Sequence, residues 1–280
     1  MSVFHAPATP VAVVTGSSSG IGRATALALG RAGYSIVLHA RRNVAGLQQV
    51  AHELQSMGAK NAPRALCLTG DIACPQTCND IVRAAFAWQG RVDAWVNNAG
   101  ADVLIGSARL ESFEARLQRL LAVDVQGTVR LSRLVALRMS SQAASLLEKC
   151  KTDGGASGHI INMGWDQATL GMEGEPGQLF GTTKAAVAAF SASLALSYPS
   201  IRVNCVAPGW IRTEWGQTAA ADYWAQRAVD ESLQSRWGTP EDVAQLIAWL
   251  ASDASHFVNG QTIAVNGGRR YYPRGDEKPS

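Results

Sequence analysis

The chain predicts an α/β fold: a doubly wound, Rossmann-type parallel sheet of about seven strands with helices on both faces, built as one domain. Three observations lead there. Short apolar runs rich in β-branched residues recur along the 280 residues, helix-length amphipathic stretches separate them, and the first run leads directly into a glycine-rich turn. A strand followed each time by a helix cannot close a hairpin with the next, so the strands run parallel and need cover on both faces.

The expected strands, in order, are Val11–Thr15, Ser35–Ala40, Ala65–Thr69, Asp93–Asn97, His159–Met163, Arg202–Val206 and Thr262–Val265. Each is a short run enriched in Val, Ile, Leu or Ala, and a helix-sized segment lies between each pair. The longest crossing, Leu110 to Lys149, keeps apolar positions at helical spacing and then passes into Lys151–Gly158, a loop by its Gly, Ser and Asp content. There is no internal repeat or linker. The domain is therefore expected to span residues 1–280 with its core at about 9–268, and the polar stretch Pro273–Ser280 is expected to form a loose tail.

Composition narrows the class of function. A formal charge of +3 is too small to suggest a nucleic-acid or membrane surface. The start, Met1 to Pro10, lacks the charged and apolar regions of a signal peptide, and the chain reads as soluble. Five cysteines (Cys67, Cys74, Cys78, Cys150 and Cys205) are an odd number, as expected of free thiols in a reducing compartment. Cys74 and Cys78 have no second pair or histidine nearby to complete a metal site, so no metal is expected.

The first strand ends in Thr15-Gly16-Ser17-Ser18-Ser19-Gly20-Ile21-Gly22, and a helical pattern begins near Ile21. Glycines let a backbone approach a pyrophosphate, and a helix N-terminus presents unpaired N–H groups with partial positive charge. The same turn also serves as an ordinary strand-to-helix connection. Its place after the first strand of a β/α alternation favours dinucleotide binding. At the end of the second strand, Ala40 stands where an acid would bind the ribose hydroxyls of NAD, and Arg41 follows it. Arginine suits a 2′-phosphate, so NADP(H) is preferred over NAD(H), with Ser17 and Arg41 as phosphate partners. A solvated pair, Arg41 and Arg42, is the plainer alternative.

With Asn97-Asn98-Ala99-Gly100, Asp71-Ile72 after the third strand and Pro208-Gly209 after the sixth, the chain resembles the short-chain dehydrogenase/reductase family over about residues 9–268. Its general likeness is to 3-oxoacyl-acyl-carrier-protein reductases, with some flavour of pteridine-reductase-like members. The resemblance implies a cytoplasmic oxidoreductase, a small-molecule substrate and a homotetramer. It assigns Gly16, Ser19, Gly20, Ile21 and Gly22 to the phosphate turn and Asp71 with Ile72 to the adenine end. Asn98, Ala99 and Gly100 fall to the ribose side, and Pro208, Gly209, Ile211 and Thr213 to the nicotinamide side.

The resemblance also implies a catalytic tyrosine, lysine, serine and asparagine. Lys184 is retained, but Phe180 occupies the tyrosine position four residues earlier, Trp165 the serine position and Asp124 the asparagine position. A phenyl ring has no proton to give, and general acid catalysis contributes about 10²–10⁴-fold. Two functions follow: an oxidoreductase with a rearranged acid, or a cofactor-binding protein without turnover that acts as sensor, structural subunit or ligand carrier. Asp166, Glu173, Glu175, Tyr223, Tyr271, Tyr272 and Lys184 itself are conceivable substitute donors, each with a plainer role as solvated charge or packing. Trp210, Trp215, Trp224 and Trp237 would line an aromatic pocket or pack a lid helix.

Overall fold

The computed structural model describes residues 9–57, 64–150, 158–213 and 222–270. Seven parallel strands form one sheet: β1 (Val11–Thr15), β2 (Ser35–Ala40), β3 (Ala65–Thr69), β4 (Ala94–Asn97), β5 (His159–Met163), β6 (Arg202–Pro208) and β7 (Thr262–Val265). Five strands have the bounds expected from sequence, β4 starts one residue later, and β6 runs two residues further, to Pro208. The loop Lys151–Gly158, apart from Gly158, and the tail Pro273–Ser280 lie outside the described residues.

Strand order is β3-β2-β1-β4-β5-β6-β7. Alternation along each strand makes two cores. Ala12, Val14, Ile36, Leu38, Val96 and Ile161 face one side, where they meet α1 (Gly20–Arg31), α2 (Val44–Ser56) and the late helix Pro240–Ala251. Val11, Val13, Val37, Trp95, Ile160 and Val203 face the other, against α3 (Pro75–Gln89) and two long helices considered next. A parallel sheet with no wet face needs both layers.

The long crossing is a helix interrupted once: α4 (Phe113–Leu120), a π-helical segment at Leu121–Gly127, and α5 (Thr128–Cys150). The wider turn is centred on Asp124, which is buried. Helix α6 (Gly174–Ser197) is long and apolar enough to cross a membrane by length and composition. Here one of its faces, with Leu179, Thr183, Val187, Ser191 and Leu194, is buried in the protein. Helices α7 (Asp222–Glu231) and α8 (Pro240–Ala251) complete the chain before β7.

A buried polar chain locks the α5 and α6 layer to the sheet. Trp95 Nε1 donates to Asn97 Oδ1 at 2.8 Å, Asn97 Nδ2 donates to Ser132 Oγ and Asn162 Oδ1 at 2.8 Å each, and Asn162 Nδ2 donates to Ser191 Oγ at 2.9 Å. All five residues are at most 3% exposed. Inside an apolar layer such a network is stable only when complete. Asn162→Leu, which orphans donors on Asn97 and Ser132, is expected to lower the unfolding free energy by about 2–4 kcal/mol; urea denaturation showing a loss below about 1 kcal/mol would remove this role.

A second buried cluster closes α8. The carbonyl of Ala251 accepts from Tyr34 Oη at 2.7 Å and from His159 Nδ1 at 2.8 Å, while Arg202 donates to the carbonyls of Leu250, Ser252 and Ser255 at 2.9, 3.0 and 2.9 Å. These groups satisfy the terminal carbonyls of the helix, where positive charge is favourable. Burial, and then the Arg202 charge, push the His159 pKa down to about 3. An unfolded histidine titrates near 6.5, so as pH falls through the window from about 6.5 to 3 the unfolded chain takes up a proton that the folded chain refuses. Stability contributed by neutral His159 is thus present above about pH 6.5 and is lost on acidification. His159→Gln is expected to flatten that part of the stability–pH curve, measured as urea midpoints between pH 7 and 4.

Candidate functional site

The order reverses at β1 and β4: successive strands are added on one side of β1 as far as β3, and then on the other from β4. Crossovers leave that point in opposite directions, so a crevice opens beyond the carboxyl ends of β1 and β4. Thr15 and Asn98 hold its two lips together. Thr15 Oγ1 accepts from the N–H groups of Asn98 and Ala99 at 3.0 Å each, and Asn98 Nδ2 donates to the carbonyls of Thr15 and Gly16 at 3.0 Å each.

The glycine turn is shaped by contact as well as by φ. Gly16 and Gly20 have φ of +65° and +53°, left-handed values that glycine adopts without strain. A Cβ on Gly22 would lie 2.1 Å from the Gly16 carbonyl oxygen and 2.4 Å from Asn98 Nδ2. The turn therefore sits directly on the first turn of α1. Ser19, the N-cap of α1, makes no side-chain cap hydrogen bond, and no acidic residue occupies the first turn. Its N-terminal N–H groups and partial positive charge remain directed at the crevice, the arrangement that binds a phosphate.

Ser17 is turned towards β2. Its hydroxyl is fully buried, accepts from the His39 N–H at 3.0 Å and lies 3.4 Å from the His39 carbonyl, which also accepts from the Ser17 N–H at 2.9 Å. Ser17 thereby ties the turn to β2. Ile72 is also buried, its side chain packed against Gly127. Arg41 is half exposed, with its guanidinium 3.9 Å from Asp71, and Ala40 is buried. No carboxylate belongs to the last strand position of β2.

The crevice widens into a cleft of about 1190 Å³ whose walls include Ile21, Asn98, Gly100, Lys184, Pro208, Gly209, Ile211 and Thr213 from the expected set. Trp165 and Phe180 also line it, edge to face with centroids 6.4 Å apart. Asp124 lies behind Lys184. Its Oδ2 is 2.8 Å from Lys184 Nζ, and its Oδ1 accepts from the Ala101 N–H at 2.8 Å. Lys184 Nζ also donates to the Met163 carbonyl at 3.3 Å. With Asp124 only 2% exposed and the lysine side chain 14% exposed, each charge is the principal counter-ion of the other. The charge of Lys184 thus faces a carboxylate of the protein itself.

The conceivable substitute acids are placed elsewhere. Glu175 pairs with Arg116 and Glu173 with Arg227, and neither lines the cleft. Burial raises the Asp166 carboxyl pKa, partly opposed by a 3.0 Å hydrogen bond from Asn266; this residue sits behind Gly209, outside the lining. Among the described residues, Tyr34 and Tyr198 pack in the two cores, away from the cleft. Tyr271, Tyr272, Trp215 and the side chain of Tyr223 lie outside the described residues.

Sequence reasoning missed the opposite wall and the mouth. Asp102, Leu104, Ile105, Arg109 and Leu110 form one side, in a loop and short 3-10 turn with no periodic signal. At the mouth, Trp210 and Trp224 pack with centroids 5.6 Å apart, and Trp237 lies 5.9 Å from Trp210. Arg227 sits 5.4 Å over Trp224 and 6.0 Å over Trp210 while pairing with Glu231 at 2.5 Å and with Glu173. This clamp joins α7 to the segment before α6. Burial lowers the Arg227 pKa, but hydrogen bonds to Glu173 and Glu231 outweigh it and raise the value overall.

Comparison with known proteins bears on this geometry. A family model described as enoyl-(acyl carrier protein) reductase matches residues 16–270. The chain is 32% identical over 262 residues to the uncharacterized oxidoreductase YgfF of Escherichia coli (strain K12), covering 92% of this chain and 99% of the relative. It is 31% identical over 264 residues to a 3-oxoacyl-[acyl-carrier-protein] reductase of Synechocystis, covering 92% and 96%. Among solved structures, acetoin dehydrogenase YohF from Salmonella typhimurium superposes with a TM-score of 0.76 at 28% identity, covering 96% of this chain and 99% of that one.

Removing one member of a buried ion pair leaves an uncompensated charge, at a cost of about 3–5 kcal/mol. Asp124→Leu and Asp124→Asn both remove the charge, so both are expected to destabilise the protein by an amount of that order, with Asp124→Asn losing somewhat less because it keeps an acceptor for the Ala101 N–H. Thermal and urea unfolding of both variants check this, and a near-neutral Asp124→Asn would show that the acceptor, not the charge, is what Asp124 supplies.

Proposed function

This chain belongs to the short-chain dehydrogenase/reductase family of oxidoreductases, and on that premise we propose that it binds NADP(H) in preference to NAD(H) and acts as an oxidoreductase without the family's tyrosine acid. One observation carries the reading: the glycine turn and the uncapped N-terminus of α1 border a cleft whose other side presents Phe180, Trp165 and a lysine paired with Asp124. The close-packed glycine turn and the uncapped N-terminus of α1 suit a dinucleotide pyrophosphate. Ala40 in place of an acid, with Arg41 beside it, suits a 2′-phosphate. A bound nicotinamide supplies the two electrons of carbonyl and alcohol interconversion.

The protein's own residues divide the remaining work. Asn98 and Thr15 set the width of the crevice, and a Cβ at position 100 would lie 3.1 Å from Asp124 Oδ2, so Gly100 leaves that carboxylate room to reach Lys184. Lys184, facing Asp124 and the Met163 carbonyl, offers its remaining hydrogen to ribose-like hydroxyls. Trp165 and Phe180 pack against a substrate and exclude water without donating a proton. A cofactor-dependent binding protein is the second reading, favoured by the same three replacements.

NADPH is expected to bind at least about tenfold more tightly than NADH, and Arg41→Ala is expected to cost roughly 1.5–3 kcal/mol with NADPH and almost nothing with NADH. Fluorescence titration of the purified protein measures both. Equal affinities in the wild type would sink the NADP(H) preference, and failure to bind either nucleotide would sink the cofactor reading.

A further inference from the structure

The cleft beside Lys184 has an unusual inventory for a place where a carbonyl is to be reduced. Its aromatic groups are Trp165, Phe180, Trp210, Trp224 and Trp237, and Met163, Met172, Leu104 and Ile105 add to the apolar area. Its polar side chains are few. Asn98 is committed to the Thr15 and Gly16 carbonyls, Lys184 is paired with Asp124, and Asp102 accepts from the Leu104 N–H of its own loop at 2.9 Å. Ser107 and Arg109 are exposed at the rim, and Thr213, half-buried, adds one aliphatic hydroxyl, too weak an acid to deliver a proton as a tyrosine would. Among the described residues the cleft therefore has flat hydrophobic surfaces in quantity and no poised acid.

Simple ketones and conjugated acceptors differ in what they require of such a site. Reducing an isolated ketone builds an alkoxide, a strong base, so the transition state needs a proton or a donor at oxygen. Reducing a quinone spreads the new charge over an aromatic ring and leaves a weakly basic phenolate-type oxygen, which water can protonate afterwards. We infer that the substrate class of this cleft is planar, conjugated electron acceptors of the quinone type, whose reduction needs positioning and an aromatic surround but no enzymatic acid. The inference rests on the NADP(H) reading and deepens it.

The step balances. The hydride leaves the C–H bond that breaks in the reduced nicotinamide and forms an O–H bond at one quinone oxygen. The π electrons shift through the ring, which becomes aromatic, so that the pair ends on the opposite oxygen, and that oxyanion takes its proton from bulk water. The acceptor is reduced by two electrons and the nicotinamide is oxidised by two. Trp165 and Phe180, edge to face, supply a wall and a floor for the ring, where stacked or edge contacts add about 0.5–1.5 kcal/mol each.

The test compares two bicyclic probes of matched size, 1,4-naphthoquinone and 1-tetralone, on the full chain. Nucleotide fluorescence measures NADPH binding, and tryptophan quenching measures naphthoquinone binding and its displacement by tetralone. NADPH oxidation is then followed with each probe. Both probes are expected to bind, with naphthoquinone affinity falling about tenfold in Trp165→Ala, as loss of a stacked ring predicts. Naphthoquinone reduction is expected to exceed the enzyme-free second-order rate by at least about 10³-fold through positioning alone, with kcat/KM flat from about pH 6 to 9 because no enzymatic acid titrates. Tetralone, though bound, is expected to stay unreduced. Tetralone turnover that disappears in Tyr223→Phe would reveal an acid in the cleft and overturn the proposal. NADPH binding without naphthoquinone binding or turnover overturns the acceptor class and leaves the cofactor reading standing; no NADPH binding removes both.

Discussion

Where β1 and β4 part, two strand ends must stay close enough to form a floor and far enough apart to admit a ligand. The reciprocal hydrogen bonds of Thr15 and Asn98 settle that distance, since each residue binds the backbone of the other's strand. Everything functional is referred to this join. The glycine turn starts on one side of it, the loop carrying Gly100 and Ala101 on the other, and Asp124 reaches that second loop through the Ala101 N–H. The ion pair to Lys184 then fixes α6 against the same frame. Behind α6, Asn97, Asn162 and Ser191 make the corresponding connection to the sheet.

Much of this was legible from the chain because it depends on local rules. Strands such as Val11–Thr15 and Ser35–Ala40 announce themselves through apolar alternation, and the turn at Gly16 to Gly22 through residues that tolerate close approach. Counting along recognisable motifs singled out Phe180, Trp165 and Asp124, and the structure brings all three to the surroundings of Lys184. Other features were invisible for physical reasons. The tie from Ser17 to β2 is one, because a serine hydroxyl serves a backbone as readily as an anion and only the placed strand shows this partner. The wall from Asp102 to Leu110 has no period to detect. Asp124 did leave a trace: a carboxylate within Leu-Leu-Ala-Val-Asp-Val needs a counter-charge if that stretch is buried. Which lysine would answer it depended on tertiary structure.

The two halves of the crevice thus follow different constraints. Binding a dinucleotide uses backbone N–H groups, small residues and a helix end, none of which depends on a titrating side chain. Carbonyl chemistry depends on a proton donor and an adjacent free positive charge to tune it. Here a hydrocarbon ring, Phe180, lines the cleft one helical turn from Lys184, whose charge faces Asp124 at 2.8 Å. These two features are mutually consistent, since a lysine beside phenylalanine has no phenol to tune. The aromatic mouth, with Arg227 laid across Trp210 and Trp224, extends the same apolar character outward.

The Asp124–Lys184 pair also bears on how this chain can change by descent. A tyrosine arising at position 180 would meet a lysine already bound to a carboxylate and a tryptophan in the space beside it, so that step alone would bring selection little to act on. Replacing Asp124 on its own would surrender a buried partnership before any phenol existed to use the freed charge. No one of these changes is rewarded without the others, so the electrostatics of a single ion pair tie positions 124, 165 and 180 into a unit that can change only together.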